Sequence, residues 1–353
     1  MSHKSASSPI SVGIGPVVLH TNTEPGPPKR GLNGIMRSTI AACAILVLLI
    51  GTANAEQCPP GVLGVSRTLV VDPNEHPRVG SMQYPETLPL NDHEVVLTFD
   101  DGPLPRYTSR VLETLASECV KATFFMVGQM ARAYPWMVRR VYDEGHTVAN
   151  HTQNHPVRKM SATQAAREIE EGFASLREAI GDQAVSPFFR IPGLLRQKSV
   201  EQYLAAHGDM TWSADFLADD WTRINNSEVA RRAISRIEAR GKGILLLHDI
   251  HARTVLALPE ILNELKSRGY KIVHVVPAAA DRPKTATSAQ QWVARPTPAA
   301  AKCLPKLAIQ PRCTTGPIVG HGLVFRGAYT KCSNSSGPCV CSIERAARSR
   351  MTW

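Results

Sequence analysis

Two carboxylates stand side by side at Asp100-Asp101, behind the apolar stretch Val95–Phe99 and ahead of Gly102-Pro103. Two acids at the C-terminal end of a buried segment stand where parallel α/β folds gather functional groups, although the same letters also describe an acidic turn. Further along, His151 and His155 lie four residues apart. That spacing puts both imidazoles on one face of a helical turn and suits a metal. Thr152 occupies the place where the zinc-peptidase pattern needs a glutamate, so that chemistry is excluded. Arg190 closes Phe188-Phe189-Arg190 ahead of Ile191-Pro192-Gly193. Asp215 follows Met210–Ala214 and precedes Asp219-Asp220-Trp221, and His248 ends Ile244–Leu247. Taken singly, these read as a surface arginine, an acidic loop with an aromatic anchor and a core histidine. In order, at the ends of successive apolar segments, they describe one site.

The segments that carry them read as strands at 95–99, 122–127, 146–150, 187–191, 210–214, 244–248 and 271–276. Helical periodicity fills the intervals at 108–117, 135–144, 163–180, 200–207, 229–240 and 258–268. Strands alternating with helices imply parallel βαβ units. Such a series fits a barrel or a doubly wound sheet, and both gather functional groups at the C-terminal strand ends.

Together these residues resemble the polysaccharide deacetylases of the NodB homology type, carbohydrate esterase family 4. The ordered motifs of that family, T-F-D-D-G-P, H-[ST]-x-x-H, R-x-P, D-x-x-D-W and L-x-H, correspond to Thr98–Pro103, His151–His155, Arg190–Pro192, Asp215–Trp221 and Leu246–His248, within residues 92–277. The resemblance implies an α/β fold, a distorted seven-stranded (β/α) barrel, and metal-dependent removal of acetyl groups from N-acetylated sugars. It implies Asp101, His151 and His155 as ligands of a divalent metal, Zn²⁺ first and Co²⁺ or another divalent ion as substitutes. Two imidazoles and one carboxylate leave positions open for water and substrate, as catalytic zinc requires.

By the same resemblance Asp100 is the base toward the attacking water, and His248 is the acid for the departing amine. Asp215 partners His248, and Arg190 orients Asp100 and lowers its pKa. Leu246 and Trp221 wall the acetyl pocket, with Pro192 and Gly193 beside the sugar. Two departures stand out. Gly193 replaces the aromatic residue of many members, which removes a groove wall yet leaves a backbone N–H as an oxyanion donor. The fourth motif, from Asp215 to Trp221, is two residues longer than D-x-x-D-W, which keeps Asp219 and Asp220 open beside Asp215. The implied substrate is a glycan containing N-acetylglucosamine, chitooligosaccharide or peptidoglycan, with acetate released. An O-acetyl esterase of the xylan type and a non-catalytic envelope-binding protein are the alternatives.

The chain has 353 residues and a net charge of +10, which by itself would suggest nucleic acid. The charge is not spread evenly: residues 1–55 carry net +3, residues 281–353 net +9, and residues 56–280 net −2. Nucleic acid is therefore not an expected partner. The apolar run Thr39–Gly51, behind Arg37 and ahead of Ala53-Asn54-Ala55, reads as a secretory signal peptide with Met36 as its natural start. The run is too short to span a bilayer. The expectation is an exported protein, periplasmic or extracellular and not integral to the membrane; a short uncleaved anchor is the alternative.

The chain then divides into a leader at 1–55, an irregular Pro-rich segment at 56–91, a catalytic domain at 92–280, an Ala/Pro/Thr linker at 281–301 and a basic tail at 302–353. Of the 8 cysteines, Cys303, Cys313, Cys332, Cys339 and Cys341 crowd into that tail, which suggests a short disulfide-held appendage. Cleavage removes Cys43 and leaves an odd number, with Cys119, entering the 122–127 strand, as the expected spare. The basic tail suits an anionic envelope polymer, or no partner at all.

Overall fold

The structure, a computed structural model, describes residues 58–294 and, within the tail, the backbone of Ser333–Asn334 paired antiparallel with Gly337–Pro338. In chain order its strands are β1 (Val65–Val71), β2 (Arg78–Val79), β3 (Glu94–Asp100), β4 (Thr123–Met126), β5 (Thr147–Asn150), β6 (Val185–Arg190), β7 (Met210–Trp212), β8 (Phe216–Leu217), β9 (Gly243–His248) and β10 (Lys271–Pro277). The helices between them are α1 (Pro105–Ser117), α2 (Gly128–Ala133), α3 (Pro135–Asp143), α4 (Ala162–Ile180), α5 (Lys198–Ala206), α6 (Asn226–Arg240), α7 (Ala252–Ser267) and α8 (Ala289–Trp292). All seven expected strands are present among them. None of the described helices is long and apolar enough to cross a membrane.

Local chemistry sets the helix ends. Proline occupies the first position of α1 and of α3, where its missing N–H is not needed. Ser161 and Gln164 form a reciprocal capping box at the start of α4. The Asn225 side chain accepts from Glu228 N–H and so opens α6. Within α6 the buried positions Val229, Ala230, Ala233, Ile234 and Ile237 recur at helical spacing and turn one face to the sheet.

Pairing within the main sheet is parallel throughout, in the order β1-β10-β3-β4-β5-β6-β7-β2, with β9 on the other side of β3 and β8 beyond it. This ladder does not close on itself among the described residues. Its strands nevertheless share one inner core, built from Val96, Phe125, Ala149, Phe188, Met210, Trp212, Ile244 and Val273, together with Leu69 and Val71 of β1. The opposite face of β3, made of Val95, Leu97 and Phe99, packs in the separate cluster that includes Leu112, Ile234 and Leu258 of the surrounding helices.

The two-residue period of a strand then fixes what faces inward above that core. On β3 the inner row is Val96, Thr98, Asp100; on β9 it is Ile244, Leu246, His248; on β6 it is Phe188, Arg190. Register brings these rows level, since Asp100 pairs with both Phe125 and His248, and Arg190 pairs with Trp212. The inner face therefore turns from apolar to polar toward the C-terminal strand ends.

Three expectations need correction. Cys119 is not spare: it is disulfide-bonded to Cys58, with Cα atoms 5.9 Å apart. Its φ of 52° places it in the turn between α1 and β4, ahead of the strand that was expected to hold it. The segment at 56–91 is not wholly irregular, because β1 pairs with β10 along its length. Its alternating burial marks a half-exposed strand beside proline-rich flanks. Finally, residues 281–294 of the expected linker pack against the domain. Thr285 N–H donates to Val70 O at 2.9 Å, Thr87 N–H donates to Trp292 O at 2.8 Å, and Ala294 N–H donates to Pro85 O at 2.9 Å. Trp292, only 3% exposed, joins the inner core and stacks on His76 at 3.5 Å. One aromatic in a stretch of small residues suffices to anchor it. The tail cysteines and the signal segment lie outside the described residues.

The Cys58–Cys119 bond closes a loop with a sequence separation of 61. On chain-entropy grounds, Cys58→Ser combined with Cys119→Ser should lower unfolding free energy by up to about 4 kcal/mol in urea titrations. A loss below about 1 kcal/mol would mean that strain or residual structure cancels the cross-link.

Candidate active site

Arg190 is the innermost charged group, its side chain fully enclosed. Nη1 donates to Asp100 Oδ1 at 2.5 Å and to Thr98 Oγ1 at 2.9 Å, and Nη2 donates to Ser213 O at 3.0 Å. The guanidinium also lies over the Phe125 ring, 4.1 Å from its centroid. A buried charge persists only when paired and hydrogen-bonded, and here the carboxylate of Asp100, itself 2% exposed, is the counter-charge. With Oδ1 committed to Arg190, Asp100 Oδ2 is left toward the site, 3.8 Å from His151 Nε2.

The backbone of Arg190 has a second role. His151 Nδ1 lies 2.7 Å from Arg190 O, so Nδ1 carries the proton and donates, leaving Nε2 with a lone pair. That Nε2 faces Asp101 Oδ1 at 3.4 Å, and His155 Nε2 faces the same oxygen at 3.0 Å. The ligating atoms of Asp101, His151 and His155 all fall within 4.8 Å of one another. Asp101 Oδ1 is buried and accepts no well-formed hydrogen bond. An unsatisfied carboxylate oxygen facing two ring nitrogens, one already set as a lone-pair donor, fits a divalent cation. Burial would raise the Asp101 carboxyl, but the imidazoles of His151 and His155, and then of His248, hold it well below the usual carboxylate range.

Asp101 has a φ of 75°, and the loop behind it is tightly packed. A Cβ on Gly102 would sit 2.3 Å from Asp249 Oδ2, so only glycine admits that carboxyl. Thr108 Oγ1 accepts from Leu104 N–H at 2.8 Å and donates to Asp249 Oδ2 at 2.5 Å. Burial, ahead of all other causes, pushes the Asp249 carboxyl up to about 7.

His248, at the end of β9, is partnered by Asp220 and not by Asp215. Asp220 is completely buried. Its Oδ1 lies 2.8 Å from His248 Nδ1, while Oδ2 accepts from His248 N–H at 2.7 Å and from Thr254 Oγ1 at 2.6 Å. Asp215 instead accepts from Ser81 N–H at 2.8 Å, Thr87 Oγ1 at 2.8 Å and Ile244 N–H at 2.8 Å. Ile244 is four residues before His248 on the same strand, about 13 Å away at 3.3 Å per residue, which is beyond a side-chain contact. Asp219 is taken by Arg232 and Arg236. Of the three acids left open by the longer motif, the one adjoining Trp221 is the partner, as the motif's closing Asp-Trp pair would have indicated.

Burial would push the His248 imidazole down, but Asp220, then Asp101 and Asp100, raise it to about 10. Its Nε2 points to Asp101 Oδ2 at 4.0 Å, and Trp221 meets the ring edge-on at 5.6 Å. A cation beside Asp101 would offset part of that rise. Leu246 lies one pleat below His248 on the inner face and is 3% exposed. Pro192 is buried, while Gly193 is exposed in a turn with φ 60°, next to Val157. Thr98, Ser213, Asp220 and Asp249 are the contributors that the sequence reading did not assign.

A carboxylate fixed by a buried arginine, an imidazole paired with a buried aspartate and a cluster of two histidines and an aspartate between them fit the chemistry of a hydrolase. Comparison with known proteins makes this specific. The family model for polysaccharide deacetylases matches residues 88–212. A peptidoglycan-N-acetylglucosamine deacetylase of Bacillus cereus is 33% identical over 194 residues, which cover 53% of this chain and 89% of that protein. A chitooligosaccharide deacetylase of Rhizobium leguminosarum bv. trifolii is 33% identical over 197 residues, covering 52% and 90% respectively. The solved structure of a Bdellovibrio bacteriovorus peptidoglycan deacetylase superposes with a TM-score of 0.56 at 27% identity, over 67% of this chain and 65% of that one. The chain belongs to the polysaccharide deacetylase family, and it is a deacetylase.

The reassignment from Asp215 to Asp220 can be checked directly. Asp220→Asn should lower the His248 pKa by about one unit or more, because it removes the charge that raises it most. Asp215→Asn should leave it unchanged, as read from imidazole NMR titrations. Equal shifts in both variants would overturn the pairing.

Proposed function

We propose that this protein removes acetyl groups from N-acetylglucosamine residues of a glycan, peptidoglycan or chitooligosaccharide, in a reaction that depends on a divalent cation. The observation that carries the reading is the Asp101–His151–His155 set, with its buried unsatisfied oxygen, placed between Asp100 and His248. Support for the sugar comes from the two curated relatives, whose names both specify N-acetylglucosamine polymers or chitin oligomers. Two imidazoles and a carboxylate favour Zn²⁺, with Co²⁺ as a substitute. When bound there, such a cation would polarise the acetyl carbonyl and acidify the attacking water.

The chain's own groups account for the protons. Asp100 accepts the proton of the attacking water at Oδ2, since Arg190 occupies Oδ1. As the new C–O bond forms and the C–N bond breaks, His248 delivers its Nε2 proton to the departing amine. Asp220 holds Nδ1 and stabilises the charged ring before transfer. An amine leaves poorly without that proton, whereas an alcohol would not need it as strongly, so the charged His248 favours amide over ester cleavage. Trp221 and Leu246 supply apolar surface beside His248 for the acetyl methyl. Pro192 and Gly193 flank the sugar.

Export to the periplasm or beyond completes the reading, supported by the apolar run behind Arg37 and by the Cys58–Cys119 disulfide. Attachment of the basic tail to an anionic envelope polymer is the corresponding proposal for residues 302–353.

Purified protein should release acetate from N-acetylglucosamine oligomers, lose that activity to a chelator and regain it with Zn²⁺ or Co²⁺. A rate unaffected by chelation would remove the cation from the reading. Asp100→Asn should lower turnover by roughly 10²–10⁴-fold while leaving cation content unchanged. Loss of the cation in that variant would make Asp100 a ligand instead of a base.

A further inference from the structure

The loop carrying His151 and His155 has no strand to hold it, because β5 ends at Asn150. Two of its non-glycine residues adopt left-handed backbone, Thr152 with φ 72° and His155 with φ 54°. Such conformations cost on the order of 1–3 kcal/mol each and persist only where the surroundings impose them. Accounting for the loop's donors and acceptors shows what imposes them here.

His151 N–H donates to Met126 O, and the carbonyls of Thr152 and Gln153 accept from Gly128 N–H and Gln129 N–H, all at 2.9 Å. His155 N–H turns back to Thr152 Oγ1 at 3.0 Å. His151 Nδ1 donates to Arg190 O at 2.7 Å, Gln153 Oε1 accepts from Ser175 Oγ of α4 at 2.7 Å, and three further bonds go to Glu168 of α4. Gln153 N–H donates to Glu168 O at 2.9 Å, Asn154 N–H to Glu168 Oε2 at 2.8 Å, and Asn154 Nδ2 to Glu168 Oε1 at 3.0 Å. Close approach of α4 to the loop also requires Gly172, one turn beyond Glu168. A Cβ there would meet Asn150 Oδ1 at 2.4 Å and the Thr152 carbonyl carbon at 2.9 Å.

We infer that Glu168 is a positioning residue for the cation site: its two carboxylate oxygens clamp Asn154, and through it they set the aim of His155 and the shape of the whole His151–His155 loop. This rests on the cation-site reading above. Glu168 lies outside all five motifs and touches no ligating atom. Its carboxylate accepts a backbone and a side-chain N–H from the residue just before a metal-ligand histidine, in charge-assisted bonds. Without it both Asn154 donors lose their carboxylate acceptor, and the left-handed turn at His155 keeps only the α4 contacts made through Gln153.

The test is Zn²⁺ affinity of the full-chain protein, measured by competition with a chromophoric chelator, with thermal unfolding of the metal-free protein followed in parallel. Glu168→Ala should bind Zn²⁺ roughly tenfold more weakly while its metal-free melting temperature stays near that of the parent. Glu168→Gln retains one oxygen for Asn154 N–H and should recover part of the loss. Asn154→Asp leaves α4 intact, sets two carboxylates against each other on an exposed turn, and should also weaken Zn²⁺ binding. It serves as the test if Glu168→Ala does not fold. Affinities of folded Glu168→Ala and Asn154→Asp within about twofold of the parent would overturn the inference, since outer-shell partners of a metal site ordinarily matter more than that. A parent protein that binds no Zn²⁺ would overturn the cation-site reading itself, and this inference with it.

Discussion

The rest of this site hangs on one enclosed charge. The Arg190 side chain has no exposure to solvent, and both its terminal nitrogens are hydrogen-bonded, while Nε has no hydrogen-bond partner among the described residues. Asp100 answers it with a carboxylate, Thr98 and Ser213 with oxygen acceptors, and Phe125 with a ring face. The same residue, through its backbone oxygen, fixes the tautomer of His151. Removing one partner of such a pair typically costs about 3–5 kcal/mol, because the other charge is left stranded. Asp100 and His151 are thus oriented by a single residue, and neither can drift without disturbing the other.

A second constraint operates across the site. Asp100, Asp101, Asp220 and His248 share a small, largely enclosed volume, and their charges are not independent. Asp220 supplies the largest part of what keeps His248 protonated, and Asp101 and Asp100 add to it. A cation beside Asp101 would cancel part of the latter contribution, so the acidity of His248 depends on whether the neighbouring position is filled. Asp249, pressed against Gly102 and linked to Leu104 through Thr108, ties the loop of Asp101 to the strand that ends in His248.

Much of this was legible in the sequence because strand periodicity is strict. Once Leu97-Thr98-Phe99-Asp100 is read as a strand, the polar residue at its end must face the same way as Thr98, and the same logic applies to Leu246 and His248. The histidine pair follows from spacing, whereas Asp101 as its third member comes from the resemblance of the motif. What spacing could not supply was the outcome of a loop. Between Ser213 and Trp221 three acids compete, and the choice depends on which lies beside the end of β9 and which lies beside its start. Cys119 lies not on the way into a buried strand but in a turn at φ 52°, where it meets Cys58, a partner far away in sequence. The α4 contact to Asn154 has no motif at all, since Glu168 is helical and part-exposed and is set apart only by what it faces.

The strap from Thr285 to Ala294 and the pairing of β1 with β10 have a consequence in time. Among the described strands β1 pairs with β10 alone, and Ser66 reaches Ile272 across a sequence separation of 206. The first strand of the domain to be synthesised therefore has no partner until the last has appeared. At synthesis rates of about 5–20 residues per second that interval is roughly 10–40 s. During it Val65–Val71 is an open strand edge, the kind of surface that invites pairing with other chains. The arrangement ties completion of the sheet to the synthesis of β10, and it makes the order in which these two strands emerge as much a property of this protein as the geometry of its site.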